Sequence, residues 1–246
     1  MMPGGRMMSM YAGFAPDYER LFPFREEVFR YLACHAGVSG ARVLDVGCGS
    51  GHYCGRFADE GFSAIGIDMD EAMIAEARRR YSHARFLLLD MRQIESAGSG
   101  FRCIYSIGNV MAHITPDELG RMVGRIFSML EPGGSWIMQV LNWDGFSGMR
   151  AYDFPSKTIE RSGGVTIFRR HYDFPGPDSV IFTVSLEQAG GVVFEERTML
   201  YPLSVNGYLR LHESAGFRNT GRFCDYAGGP VRSEPGAGLV LEFRKP

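Results

Sequence analysis

The chain lacks the features that mark specialised environments. It has no apolar run near the roughly 18–20 residues a helix needs to span a bilayer. Its five cysteines, Cys34, Cys48, Cys54, Cys103 and Cys224, are odd in number and form no C-x-x-C pair. Neither a disulfide framework nor a metal site is therefore expected, and free thiols in a reducing cytoplasm are the simplest account. A net charge of −2 exerts no general pull on nucleic acid or anionic lipid, so the expected partner is a small molecule. Met1 to Met10 contain no apolar core of a secretory leader, and no leader is expected. Repeats and low-complexity tracts are missing as well. The remainder is ordinary for a globular protein, with 45% hydrophobic and 22% charged residues. At 246 residues the chain suits one large α/β domain or a domain with an insertion.

The most informative stretch is Ala41-Arg-Val-Leu-Asp-Val-Gly-Cys-Gly-Ser-Gly51. Val43, Leu44 and Val46 read as a short buried strand, which Gly47, Gly49 and Gly51 turn tightly. Glycines there allow positive φ and close approach of a ligand to the main chain. A dinucleotide fingerprint has G-x-G-x-x-G, with its acid about 20 residues downstream. Here the spacing is G-x-G-x-G, and Asp45 stands two residues before the first glycine.

Beyond the glycines, strand and helix alternate. Strands are expected at 42–46, 64–67, 85–89, 101–107 and 136–141, with helices after the glycines to near Gly61, at 71–81, and from Thr115 to Leu130. A helix is also expected from Pro16 to about His35, and the helix that starts at Thr115 is expected to break at Glu131-Pro-Gly-Gly134. This alternation predicts a parallel sheet with right-handed crossovers, whose ligands lie beyond the carboxyl ends of the strands. Asp45, Asp68, Asp90, Asn109 and Asn142 each stand at such an end. After residue 150 the pattern changes to β segments near 158–161, 165–172, 180–187 and 192–201, separated by Gly- and Pro-rich turns. A helix at 204–215 and strands near 219–226 and 238–243 close the chain.

Residues 43–141 strongly resemble the class I S-adenosylmethionine-dependent methyltransferases, and 204–243 moderately so. The resemblance implies a Rossmann-like α/β fold: a seven-stranded, mostly parallel sheet with helices on both faces, plus an antiparallel β-rich insertion after strand five. The implied organisation is an N-terminal lid and helix over 1–35, a core over 36–149 and 204–246, and an insertion over 150–203 covering the acceptor site. The implied cofactor is S-adenosyl-L-methionine. Its methionine portion would lie over Gly47, Cys48, Gly49 and Gly51, with Asp45 attracting the ammonium. Asp68 would accept both ribose hydroxyls, and Met69 would pack on the adenine. Asp90 would receive the adenine amino group beside Met91. Each of these acids, taken singly, also reads as a helix cap or a loop residue.

Ser106-Ile-Gly-Asn-Val-Met-Ala-His113 resembles the corresponding segment of the small-molecule, glycine N-methyltransferase-like branch. Gly108 and Asn109 would face the cofactor, with His113 either a base or substrate contact or a buried structural histidine. The Asn/Asp-Pro-Pro-aromatic motif of DNA amine methyltransferases is missing. Asn142 and Trp143 would face the acceptor, and Arg150 would clamp a carboxylate or else lie in solvent. Arg170 and Tyr172 would project from the insertion, while Tyr11 and Tyr18 would belong to the lid, although helix packing explains Tyr18 equally well. The resulting expectation is N-methylation of a small amine or amino acid, with O-methylation or non-catalytic cofactor binding as alternatives and a homo-oligomer formed through the insertion as a further possibility. The glycine spacing and Asp45 disfavour a nicotinamide enzyme.

Overall fold

The computed structural model describes residues 14–161, 164–176 and 178–246. Its centre is a seven-stranded sheet. Strands β1 (Arg42–Val46), β2 (Ser63–Asp68), β3 (Arg85–Leu88), β4 (Phe101–Ser106) and β5 (Leu130–Leu141) are parallel, and β11 (Arg218–Phe223) and β12 (Gly238–Arg244) add antiparallel at one edge. The spatial order is β11-β12-β5-β4-β1-β2-β3. The chain reverses direction across the sheet between β1 and β4, and in open α/β sheets the ligand crevice forms at such a switch.

Period-two alternation sends neighbouring side chains to opposite faces. Val43, Cys103, Tyr105 and Ile137 pack beneath helices α2 (Glu26–Ala36), α3 (His52–Asp59) and α4 (Glu71–Arg80). Leu44, Val46, Ile104 and Met138 pack on the other face with α5 (Pro116–Met129) and α6 (Val205–Ser214). Each fully buried aliphatic or phenyl side chain contributes roughly 1.5–3 kcal/mol. Local signals fix the helix starts. Thr115 and Glu118 form a reciprocal capping box, Asp70 accepts from Ala72 and Met73, and Ser204 accepts from Gly207.

A second, antiparallel sheet comprises β6 (Ala151–Asp153), β7 (Lys157–Arg161), β8 (Gly164–Gly176), β9 (Ser179–Gln188) and β10 (Gly191–Leu200). Both β6 and β7 pair with β8, at different positions along it. The N-terminal segment packs onto this second sheet: Phe14 and Leu21 share a buried cluster with Ile159, Phe168, Val184 and Leu186.

Several boundaries differ from expectation. The N-terminal helix is broken into a 3-10 turn at Ala15–Asp17, a one-turn α1 (Tyr18–Leu21) and α2, because Phe22-Pro-Phe-Arg25 interrupts it at Pro23. Helix α5 ends just before Glu131-Pro-Gly-Gly134 as expected, but β5 opens at Leu130 rather than Trp136, so this segment forms its irregular start, where the register to β4 shifts between Phe101 and Cys103. A 3-10 stretch at Met91–Ala97 and strand β6 were not anticipated.

Candidate active site

Three contiguous hollows open at the carboxyl ends of β1, β2, β4 and β5, and all three touch Tyr18 and Gly108. The first, about 710 Å³, runs from Gly47 and Gly49 past Asp68 to Met69, Met73, Leu89 and Met91. The second, about 820 Å³, lies beneath the β6–β10 sheet. The third, about 850 Å³, joins Asp45 and Cys48 to Arg25, His52, Lys157 and Tyr226.

The glycine positions of the turn leave little or no room for a side chain. A Cβ at Gly47, where φ is +75°, would stand 2.6 Å from both methyls of Val110, and one at Gly49 would meet the Tyr18 ring at 3.3 Å. Gly51 serves packing instead: its Cβ would collide with Phe86 at 2.6 Å, and it borders none of the three hollows. The short α1 is fastened over this turn by Glu19, which accepts from Ser50 Oγ at 3.0 Å and Tyr81 OH at 3.1 Å and pairs with Arg80 at 2.9 Å.

Two acids define the polar part of the crevice. Asp68 accepts from the N–H of Gly49 and of Asp70, each at 2.9 Å, which aims the carboxylate across the glycine turn. Burial lifts its pKa to about 6 against those two bonds. Asp45 is buried, and its Oδ1 accepts no hydrogen bond. Burial is the main reason its pKa rises to about 8, with the Asp68 charge adding to it and the Tyr105 hydroxyl opposing it. A buried carboxylate oxygen without a donor is costly alone and complements a cation arriving from the hollow.

Asn109 sits at φ +66°, a strained position for a residue with a side chain. Its Oδ1 accepts from Leu141 N at 3.0 Å, and its Nδ2 donates to Tyr172 OH at 3.4 Å, tying the end of β5 to the second sheet. Gln139 Oε1 accepts from Gly108 N at 2.7 Å, so the 106–113 turn is pinned to β5. His113 borders the first and second hollows, and burial drops its pKa to about 4, leaving it neutral at pH 7.

The remaining anticipated residues divide. Met69, Met91, Arg170 and Tyr172 border the hollows. Asp90 does not: it caps the 91–97 turn through Arg92 N at 2.8 Å and pairs with the Arg92 guanidinium at 2.9 Å. Asn142 is buried and spent on local bonds, accepting from Asp144 N and donating to Arg232 O at 2.6 Å. Trp143 lies behind Tyr172, stacked on it at 5.6 Å, rather than in the hollow. Arg150 is exposed and touches none of the three hollows. It is therefore the solvent residue of its two readings. Tyr11 lies outside the described residues.

Sequence reading missed Gln139, His52, Lys157 and Tyr226. Gln139 carried a usable signal, being the one polar residue within Trp136-Ile-Met-Gln-Val-Leu141. Among the described residues no helix is long and apolar enough to cross a membrane, and no group of three His, Cys, Asp or Glu side chains forms a metal site.

Residues 43–134 match a family model described as a methyltransferase domain. A ubiquinone biosynthesis O-methyltransferase of Rhodopseudomonas palustris (strain BisA53) is 29% identical over 159 residues, covering 59% of this chain and 58% of the relative. Glycine N-methyltransferase of Rattus norvegicus is 30% identical over 135 residues, covering 48% and 44%. The chain thus spans about three fifths or less of these curated relatives. Among solved structures, the CcbJ methyltransferase of Streptomyces caelestis superposes with a TM-score of 0.79 over 97% of this chain and 98% of its own, at 17% identity. Residues 43–134 thus match a methyltransferase domain, and with its glycine turn, strand-end acids and sheet order the chain is similar in fold to S-adenosylmethionine-dependent methyltransferases.

Proposed function

We propose that the protein transfers a methyl group from S-adenosylmethionine to the nitrogen of a small amine or amino acid. The observation that carries the cofactor assignment is the buried Oδ1 of Asp45, without a hydrogen-bond partner among the described residues, beside a glycine turn with no room for a side chain at Gly47. In this reading Asp45 attracts the ammonium, Gly47 and Gly49 lie against the methionine portion, and Asp68 takes the ribose hydroxyls. Met69, which is 56% exposed at the rim, would bury its thioether against the adenine together with Met91. Asp90 contributes through the 91–97 turn it caps, not by lining the crevice.

When bound, the cofactor supplies an electrophilic methyl on a good leaving group. The chain then needs chiefly to orient an acceptor and exclude water, which is worth up to roughly 7–11 kcal/mol. Tyr18, Gly108, Asn109 and His113 stand where the first and second hollows adjoin. Neutral His113 is a weak base, and among the described residues no aspartate or glutamate lines the second hollow. A neutral amine requires no strong base, whereas a hydroxyl acceptor usually does. That favours nitrogen, although the 29%-identical relative named above is an O-methyltransferase. The N-terminal segment and residues 150–203 together form the acceptor cover in this reading.

Incubation with labelled S-adenosylmethionine and a panel of small amines, amino acids and phenols tests it. The expected product carries the label on nitrogen. Label on oxygen alone would establish the other chemistry, and cofactor binding without transfer to any acceptor would make the protein a binding module.

A further inference from the structure

We propose that the hollow beneath the second sheet selects an acceptor that joins a flat apolar body to an anionic group, with the anion held by Arg170, which lines that hollow, and by Lys157, which lines the third hollow where the two meet at Phe22. The inference rests on the methyl-transfer reading, because it specifies that reaction's acceptor.

The walls are aromatic and set edge to face. Phe154 meets Tyr172 at 4.9 Å and 84°, Tyr172 meets Phe182 at 5.1 Å and 83°, and Phe22 meets Phe168 at 5.8 Å and 88°. These rings give the hollow an aromatic lining, and an aromatic lining favours an aromatic guest, which it can meet stacked or edge to face. Two cations enter this aromatic setting. The Arg170 guanidinium lies 4.6 Å from the Phe154 centroid and 5.7 Å from that of Phe22, and the Lys157 ammonium lies 4.3 Å from the Phe22 centroid. The Lys157 ammonium also donates to the Leu21 carbonyl oxygen, which fixes its position with further N–H donors in hand.

Among the described residues no acid lines the second hollow, and the carboxylate bordering the third, Asp45, belongs to its glycine end. Burial, and then the nearby Arg170 charge, hold Lys157 below the usual lysine range. Two half-buried cations that repel one another lose that repulsion when an anion enters, and a guanidinium grips a carboxylate through two parallel bonds. Aromatic walls alone would also welcome a cation. Here they already carry two, so a third positive charge is repelled. Neutral His113 adds no opposing charge. An aromatic amino acid or an aminobenzoate combines the required parts: flat ring, carboxylate and amine.

The test is calorimetric titration of the full chain, saturated with S-adenosylhomocysteine, with benzoate, 2-aminobenzoate and L-phenylalanine, and with benzamide and benzylamine as neutral and cationic counterparts. At least one carboxylate should bind, and its uncharged or cationic counterpart should bind about tenfold more weakly or worse. Arg170→Met and Lys157→Met should each weaken the carboxylate about tenfold while leaving S-adenosylhomocysteine affinity intact, which also certifies their folding. Arg170→Lys should recover part of the loss. Benzylamine or benzamide binding as well as the carboxylates, carboxylate affinity indifferent to Arg170→Met, or no carboxylate binding at all would overturn the proposal. Failure of the methyl-transfer reading looks different: carboxylates bind in the Arg170-dependent manner, yet no label is transferred.

Discussion

The crevice has two halves built by different means. The half proposed above to take the cofactor, residues 45–91, is made of backbone and short local side chains: a glycine turn, two aspartates at strand ends and methionines at the rim. The half proposed to take the acceptor draws Tyr18 and Phe22 from the N-terminal segment, Asn109 and His113 from the turn after β4, Gln139 from β5, and Phe154, Phe168, Arg170 and Tyr172 from the second sheet. One half is set by spacing along a short stretch of chain, the other by how distant segments pack. In the proposed reading a family can keep the first, which takes a constant ligand, while varying the second.

That contrast breaks most sharply at Gly47. Gly47→Val places a branched side chain on Val110 at a positive φ, and S-adenosylhomocysteine affinity should fall more than about 100-fold, read by calorimetry. The next effect is at Asp45. With its pKa near 8, Asp45 is largely protonated at pH 7 without ligand, and an arriving ammonium favours the ionised form. Binding should release a proton, so affinity should climb from pH 6.5 to 8.5. Titration in buffers of different ionisation enthalpy should show the release, and Asp45→Asn should abolish it while weakening binding about tenfold. On the acceptor side, Phe168→Ala opens the aromatic wall. The acceptor KM should rise about tenfold while cofactor affinity stays within about twofold, a split that separate halves require. The smallest change is expected at His113: His113→Gln should lower kcat less than about tenfold without moving its pH profile, since a neutral histidine of pKa near 4 is no general base.

The same division explains what was legible in the sequence. The 41–51 stretch and Asp68 could be read because glycine spacing and strand-end acids act within a few residues of one another. Asp90 looked identical by that rule. Its carboxylate is engaged by Arg92, two residues on, a competitor the strand pattern does not register. The helix break at Pro23 carried a visible cue, but the apolar residues from Leu21 to Leu32 resembled one continuous face. Arg150 and Arg170 were equal candidates by residue type. Only the pairing of β8 with β9 and β6, and the docking of Phe22, turn Arg170 toward the hollow and leave Arg150 in solvent. Lys157, His52 and Tyr226 come from three remote segments that a linear pattern cannot bring together.

The account depends on Asp68 gripping the sugar of a sulfonium nucleoside from the glycine turn. Calorimetric affinity for S-adenosylmethionine at pH 8.5, where both crevice acids are ionised, tests this directly in the native chain and in Asp68→Ala. Loss of two charge-assisted hydrogen bonds predicts binding weaker by about 30-fold or more, with the thermal unfolding midpoint little changed. Equal affinity in the two proteins would contradict the account.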